Sequence, residues 1–160
     1  MRDELRTRGR EVYRLSITDI EYSMALADRL TESHAFKMNH SLSGLRDDAE
    51  ASEIVDDVAY YANLDITYIW TFTLWRIQAV FEGIISQSLL PLSSHRPLGL
   101  KRKLKALKAA GYAIAHDDEE QLLEWAKLRN RFSHRPEWYY HATRIWREDV
   151  AEYASLVTRL

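Results

Sequence analysis

The chain has 160 residues, of which 46% are hydrophobic and 29% charged, a composition typical of one folded domain and not of a disordered chain. It contains no cysteine, which excludes disulfides, thiolate metal sites and a thiol nucleophile and is consistent with a reducing cytoplasm. The first 14 residues carry five arginines and no apolar run. We therefore expect no secretory signal and a cytoplasmic protein.

The formal net charge of −2 conceals an uneven distribution of charge along the chain. Residues 1–95 hold nine basic and fifteen acidic side chains, whereas residues 96–160 hold thirteen basic and nine acidic ones. The carboxy-terminal part is therefore where we expect an anionic partner to bind.

Glycine and proline are rare, with five and three residues, and no segment alternates at period two. This pattern predicts an all-α fold, a mostly antiparallel bundle of four to five helices in a single domain covering 1–160. The predicted helices cover about 8–34, 49–90 with a bend near Asn63, 98–110, 117–133 and 136–160. Residues 1–48 form an amino-terminal helix and a loop over 37–48, and residues 49–160 form the core bundle. Gly111 is predicted at a helix C-cap and Pro136 in a first helical turn.

The second predicted helix is apolar on nearly all sides from Ile66 to Ile85. Arg76 and Glu82 interrupt the apolar run, so it is too short to span a membrane and we expect no membrane partner. Such a helix is either the buried centre of a bundle or packs against a second subunit as well. We favour the second interpretation, a homodimer, because a chain of this length has few helices to surround it.

The segment of 122–136, LLEWAKLRNRFSHRP, places a charged residue in an apolar helix face. Projection at about 100° per residue puts Arg129 among the apolar side chains; these are Leu122, Trp125, Ala126, Leu128 and Phe132. An unpaired buried charge is very costly, so Arg129 must either pair with a carboxylate or line a cleft. Pro136 disfavours helix at the residue before it, so a helix ending near Ser133 could turn His134 back beside Arg129. In the alternative interpretation, Arg129 pairs with an acid such as Glu82 and His134 only caps the helix.

The run from Leu128 to His134, LRNRFSH, resembles the signature of the HEPN domain (higher eukaryotes and prokaryotes nucleotide-binding). That signature is an arginine, four to six residues and a histidine, with Asn commonly following the Arg. The resemblance implies a helical bundle that is usually homodimeric, with the Arg and His of both subunits meeting in an interfacial cleft. It also implies a metal-independent endoribonuclease of a toxin–antitoxin or anti-phage system, and so RNA and an antitoxin protein as partners.

Two features limit the resemblance. The pairs Arg29 with His34 and Arg135 with His141 have similar spacing, but both are predicted to lie on solvated surface. Members paired with a minimal nucleotidyltransferase usually carry a Tyr two residues after the His as an adenylylation target. Here Pro136 holds that position, so we do not expect this form of antitoxin control.

The residues of the motif suit metal-free cleavage of RNA. His134 titrates near neutral pH and is expected to act as general acid or general base, with the choice left open. Arg129 presents a planar, permanently charged fork that would stabilise the phosphorane transition state. Asn130 is expected to orient the pair by hydrogen bonding.

Further basic residues are candidates for binding RNA phosphates. They are Arg131 and Arg135 beside the motif and Lys101, Arg102 and Lys103 in the short basic helix. The histidines show no metal-ligand spacing, so we expect neither a metal nor another cofactor. The alternative function is a non-catalytic HEPN-like module that binds a nucleotide, RNA or a protein partner, and a helical scaffold without a ligand is a third possibility.

Overall fold

A computed structural model describes residues 14–43, 52–90, 99–134 and 144–160, with only the backbone described at 52, 53, 133 and 134. These ranges contain five α-helices and no strand, so the predicted all-α bundle is confirmed. The helices are α1 (Ile17–Ser43), α2 (Ser52–Ile84), α3 (Leu100–Ala109), α4 (His116–His134) and α5 (Arg147–Arg159), and a π-helical turn, Ile85–Leu89, continues α2. No helix in these ranges combines the length and the apolar character needed to cross a membrane.

Helices α1 and α2 form an antiparallel pair. At one end, the Leu15 N–H donates a hydrogen bond to Gln87 Oε1 at 3.1 Å, just before α1 begins. At the other end, His34 Nε2 lies 3.7 Å from Asp65 Oδ2. A Cβ on Gly83 would come within 2.2 Å of Leu15 Cδ1, so this glycine permits the close approach.

Helices α4 and α5 are also antiparallel. The carboxylate of Asp118 near the start of α4 pairs with Arg159 at the end of α5, at 2.5 Å. One and a half turns earlier in α5, the Tyr153 ring packs on the Trp125 ring at a centroid distance of 5.4 Å. The last turns of α4 therefore extend toward the beginning of α5.

Helix α5 runs parallel to α2. Its first residue, Arg147, makes two hydrogen bonds to the carboxylate of Asp28 in the middle of α1, at 2.7 and 3.0 Å. Farther along α5, Tyr153 lies in the electrostatic field of Glu82 near the end of α2. Because α4 is antiparallel to α5, it is antiparallel to α2 as well, and its carboxy-terminal end lies beside the middle of α2.

The core lies between these four helices, and α3 closes one end. The largest fully buried side chains of the core include Trp70, Leu74, Ile77, Leu104, Leu122 and Tyr153. Helix α3 buries the leucines of one face, and Gly111, whose φ is +94°, follows its C-cap residue Ala110. The Gly111 and Tyr112 N–H groups bond to the carbonyls of Lys108 and Leu107, both at 3.1 Å. This is a Schellman motif, which confirms the predicted glycine cap.

The predicted bounds of the first helix are wrong at both ends. Residues 14–16 are not helical, and α1 begins at Ile17 because the Asp19 carboxylate accepts bonds from the Ser16 N–H at 2.8 Å and from its hydroxyl at 3.2 Å. Residues 37–43, predicted as a loop, continue the helix to Ser43. The hydroxyls of Ser41 and Ser43 bond back to helix carbonyls, so these polar residues are accommodated without a break.

The predicted start of the last helix is also wrong. Residues 144–146 are not helical, and Trp146 is extended, with φ −106° and ψ 167°. The Asp149 carboxylate accepts the Trp146 N–H at 2.8 Å, which fixes the start of α5 at Arg147. Pro136 lies outside the described residues. The second helix matches its predicted range closely and is continuous through Asn63.

Candidate functional site

Helix α4 divides into the two faces that its sequence predicts. Leu122 is fully buried, and Trp125, Ala126, Leu128 and Phe132 pack against the core. Glu124, Lys127 and Arg131 are exposed on the opposite face. Arg129 lies half-buried on the core side, so the expectation of a guanidinium within the apolar face agrees with the structure.

The surroundings of Tyr153 connect Arg129 to the interior. Tyr153 is fully buried on α5, with its ring tilted by 46° against Trp125. Burial raises the pKa of its hydroxyl well above the ordinary value; the negative charge of Glu82 raises it further and the positive charge of Arg129 opposes both. Arg129 and Glu82 therefore both lie within electrostatic reach of one buried phenol.

Glu82 is held by two polar side chains. Lys103 Nζ donates to Glu82 Oε2 at 2.8 Å and to the Glu82 carbonyl at 3.2 Å, and Gln78 Nε2 donates to Oε1 at 3.3 Å. The Lys103 and Glu82 side chains are only 13% and 19% exposed, so this ion pair is screened weakly by solvent. We call Gln78, Glu82, Lys103, Arg129 and Tyr153 the inner polar cluster.

Three buried polar atoms, two in this cluster and one next to it along α2, have no hydrogen-bond partner among the described residues. They are the Tyr153 hydroxyl, Gln78 Oε1 and Trp75 Nε1. A buried polar group left without a partner costs on the order of 1–3 kcal/mol, and native structures contain few of them. Their concentration where α2, α4 and α5 meet marks this part of the core as unusual.

The backbone of α4 is helical through His134, one residue beyond the predicted end. The turn that would bring His134 back beside Arg129 therefore does not occur before that residue, and within a helix the two residues differ by about 140° in direction. The His134 side chain lies outside the described part of the chain. Asn130, the predicted orienting residue, is exposed at the edge of the face.

The structure separates the predicted RNA-binding residues into two groups. Lys101, Arg102 and Arg131 are exposed, whereas Lys103 points inward and binds Glu82. Arg135 lies outside the described residues. Arg131 also lines an open groove of about 630 Å³ along α4, whose other charged lining residues are Asp117, Glu120, Glu124 and Lys127.

A second unusual region is an exposed apolar surface on α1 and α2. Its side chains are between 39% and 62% exposed and comprise Tyr22, Leu26, Leu30, Ile54, Tyr61, Tyr68 and Phe72. Leu30 lies one turn before His34 on α1 and Phe72 lies two turns after Asp65 on α2. Since His34 and Asp65 are neighbours, the two stripes adjoin, and we call them together the outer apolar face.

Sequence reasoning proposed Glu82 as a possible partner of Arg129 but missed Gln78, Lys103 and Tyr153. The signal for Lys103 is present: it occupies one position of the i, i+3, i+4, i+7 pattern that the buried leucines Leu100, Leu104 and Leu107 define on α3. A lysine in such a stripe requires a buried acid. Tyr153 gives no comparable signal, because a tyrosine in a core stripe is ordinary.

Within the described ranges, no group of three His, Asp or Glu side chains is placed to hold a metal ion. Comparison with protein-family models, with curated proteins and with solved structures found no match to this chain.

Proposed function

We propose that this chain is a metal-independent endoribonuclease of the HEPN type, with Arg129 and His134 as its catalytic residues. The observation that carries the proposal is the position of Arg129, which is half-buried on the core side of α4 and acts electrostatically on the buried Tyr153. It lies five residues before His134, the last residue of α4. A surface arginine without a function is expected on the opposite face of the helix.

Cleavage of RNA without a metal needs three things: removal of the 2′-OH proton, stabilisation of charge on the phosphorane, and protonation of the 5′-oxygen. His134 supplies one of the two proton transfers. Arg129 holds two phosphate oxygens through its planar fork and stays charged throughout the reaction. The products are a 2′,3′-cyclic phosphate and a 5′-hydroxyl.

The active form in this proposal is a homodimer that pairs the outer apolar face with its copy. The outer apolar face contains four half-exposed tyrosine and phenylalanine side chains and three aliphatic ones. An aromatic side chain has about 150–250 Å² of surface when fully exposed, so the face presents on the order of 600 Å² of apolar surface. With adjoining polar atoms this approaches the roughly 800 Å² per partner of a standard interface, whereas monomers rarely expose so much. Two copies joined through α2 would bring the ends of both α4 helices near the interface, which would allow Arg129 of one protomer to act with the partner subunit's His134.

In this proposal RNA phosphates bind exposed cations of α3 and α4. Arg131 lies two residues after the catalytic arginine, on the exposed face of α4, and Lys101 and Arg102 lie on the exposed side of α3. Lys103 is not among the proposed RNA-binding residues, because its charge is paired with Glu82. Asn130 and Arg135 keep the roles proposed from the motif, in orienting the catalytic pair and binding RNA. A protein that cleaves RNA in this way fits a toxin–antitoxin or anti-phage system, with an antitoxin as its partner.

The test is cleavage of tRNA, mRNA and structured RNA by the purified protein in EDTA. Arg129→Ala and His134→Ala are each expected to lower the rate by about 10³-fold. Arg144→Ala and His116→Ala, which alter exposed residues of the same types, serve as matched controls and keep the wild-type rate. Absence of cleavage on all three substrates, or equal rates for the variants and their controls, would contradict the proposal. Binding of RNA without turnover would indicate the non-catalytic module instead.

A further inference from the structure

The side of α2 that belongs to the outer apolar face also carries two charged side chains. Asp65 lies one turn before Tyr68. Arg76 lies one turn after Phe72, so the charges flank the two rings on the same side of the helix. A projection at about 100° per residue places seven exposed residues of α2 within about 80° of one another. We call them the α2 stripe, which comprises Ile54, Tyr61, Asp65, Tyr68, Phe72, Arg76 and Ala79.

The protomer itself leaves these two charges largely without partners. Arg76 belongs to none of the ion pairs found among the described residues. Asp65 has only His34 nearby in that part of the chain, with Nε2 at 3.7 Å and thus beyond hydrogen-bond distance. A charge that enters an interface loses hydration and needs an opposite charge there. The stripe therefore fits a partner that presents an acid to Arg76 and a base to Asp65.

A second copy of the chain presents both charges if the two α2 helices run antiparallel. In a parallel twofold pair, Asp65 would face the partner subunit's Asp65 and Arg76 would face the partner subunit's Arg76, which sets like charges together. An antiparallel pair reverses the order, so that each Asp65 meets the partner's Arg76. The two charges are eleven residues apart, about 16 Å along the helix, and the twofold axis lies midway between them, level with Trp70.

Side-chain size is matched about the same axis. Tyr68 and Phe72 both lie two residues from Trp70, so each ring faces the other ring of the partner. Tyr61 and Ala79 both lie nine residues from it, so a large side chain faces a small one, as close packing favours. The Trp70 side chain is buried on the opposite side of α2 and does not obstruct the contact. Charge and volume therefore lead independently to one register.

We propose that the dimer of this protein is an antiparallel pair of α2 helices whose twofold axis lies level with Trp70. Two ion pairs between Asp65 of one protomer and the partner's Arg76 hold this register, and the aromatic rings fill the space between them. The inference rests on the homodimer of the proposed function and adds the orientation and register of its two subunits.

The first experiment reverses the two charges, singly and together. Arg76→Glu and Asp65→Arg each set like charges opposite one another twice, so each should raise the Kd of the dimer about tenfold or more. The double variant restores opposite charges and should return the Kd to within about threefold of the wild type. Analytical ultracentrifugation measures all of them. The matched controls Asp56→Arg and Arg144→Glu alter exposed residues outside the stripe and should keep the wild-type Kd.

The outcomes separate the register from the proposed function. A wild-type Kd for both single variants, or a double variant that recovers no affinity, overturns the register while the dimer itself remains. A wild type that stays monomeric overturns the dimer of the proposed function and this inference with it. A wild-type dimer that cleaves no RNA in EDTA contradicts the proposed reaction but leaves the register intact.

The second experiment measures the orientation directly. The chain has no cysteine, so Asp56→Cys provides a single site for a nitroxide spin label. Residue 56 lies fourteen residues from Trp70, so the two labels of an antiparallel dimer are separated by about 42 Å along the helices. A parallel pair would bring them to the same level, within about 30 Å of each other. Double electron–electron resonance measures this distance, and a distribution centred below about 30 Å overturns the proposal.

Discussion

The inner polar cluster and the outer apolar face are opposite exceptions to the same rule. A helical bundle normally buries apolar side chains and exposes polar ones. In the cluster, an ion pair and a glutamine lie inside, with Gln78 only 1% exposed. On the face, Tyr61 and Phe72 are 62% and 61% exposed. Sequences that specify one fold break such local rules mainly at functional sites, so the comparison shows where to search for function in an otherwise regular bundle.

The two regions adjoin each other on α2. Trp75 packs edge-on against Phe72 at a centroid distance of 5.4 Å, and its indole nitrogen is buried with no hydrogen-bond partner among the described residues. Gln78 follows Trp75 by one turn, and Glu82 follows Gln78 by another. A second copy seated on the face would thus lie next to the polar cluster. If the two regions serve one function, disturbing either one should affect the proposed catalytic site, whereas disturbing the rest of the bundle should affect stability alone.

The largest expected effect on stability comes from breaking the ion pair of the cluster. Glu82→Ala leaves the Lys103 ammonium largely buried without its carboxylate, which should lower the free energy of unfolding by about 3 kcal/mol. Glu124→Ala is the matched control because it removes an exposed ion pair with Lys127, which contributes roughly 0.3–0.5 kcal/mol. Urea unfolding measures both. Equal losses of unfolding free energy for the two variants would show that the ion pair of the cluster contributes no more than an exposed ion pair.

The outer face is tested by adding a charge to it. Phe72→Glu places a carboxylate in the proposed interface twice and should raise the Kd of the dimer by about 100-fold or more. Phe36→Glu, at an exposed phenylalanine of α1 outside the face, should leave the Kd unchanged. Analytical ultracentrifugation across a concentration series measures both. A wild-type protein that stays monomeric at 100 times the concentration used in the RNA cleavage assay would contradict the proposal that the outer apolar face binds a second copy.

A structural feature of this protein can be predicted from the sequence when residues close to it in the chain determine it. The helical period and the scarcity of glycine and proline predict the all-α fold, and Gly111 correctly predicts the carboxy-terminal cap of α3. The predicted starts of the first and last helices are wrong because a single capping residue decides each of them, Asp19 in α1 and Asp149 in α5. The position of Arg129 on the core side follows from its own helix. Its electrostatic effect on Tyr153 does not, because Tyr153 comes near α4 only through the packing of α5 against that helix.

The burial of Tyr153 also predicts a pH dependence specific to the cluster. In the unfolded chain the phenol ionises near the ordinary value of 10.0, while in the fold its raised pKa keeps the proton bound. Ionisation of Tyr153 therefore does not affect the free energy of unfolding below pH 10. Above pH 10 it lowers that free energy, by up to about 1.4 kcal/mol per pH unit. Unfolding of the wild type and of Tyr153→Phe from pH 9 to 11 measures the difference. Tyr112→Phe should lose stability with the same slope as the wild type, and equal slopes for all three proteins would refute the prediction.

The smallest effect concerns a position that belongs to neither region. Gly111→Ala forces a side chain onto a backbone φ of +94° at the end of α3, which should cost about 1 kcal/mol of folding free energy. Ala109→Gly, two residues earlier in the helix, provides a control of similar size without this strain. Both variants should retain the proposed dimer and, in the proposed reaction, the wild-type kcat for RNA once folded, because neither touches the cluster or the face. A loss of kcat in Gly111→Ala at temperatures well below its Tm would mean that the site depends on α3 as a whole and extends beyond the two regions compared above.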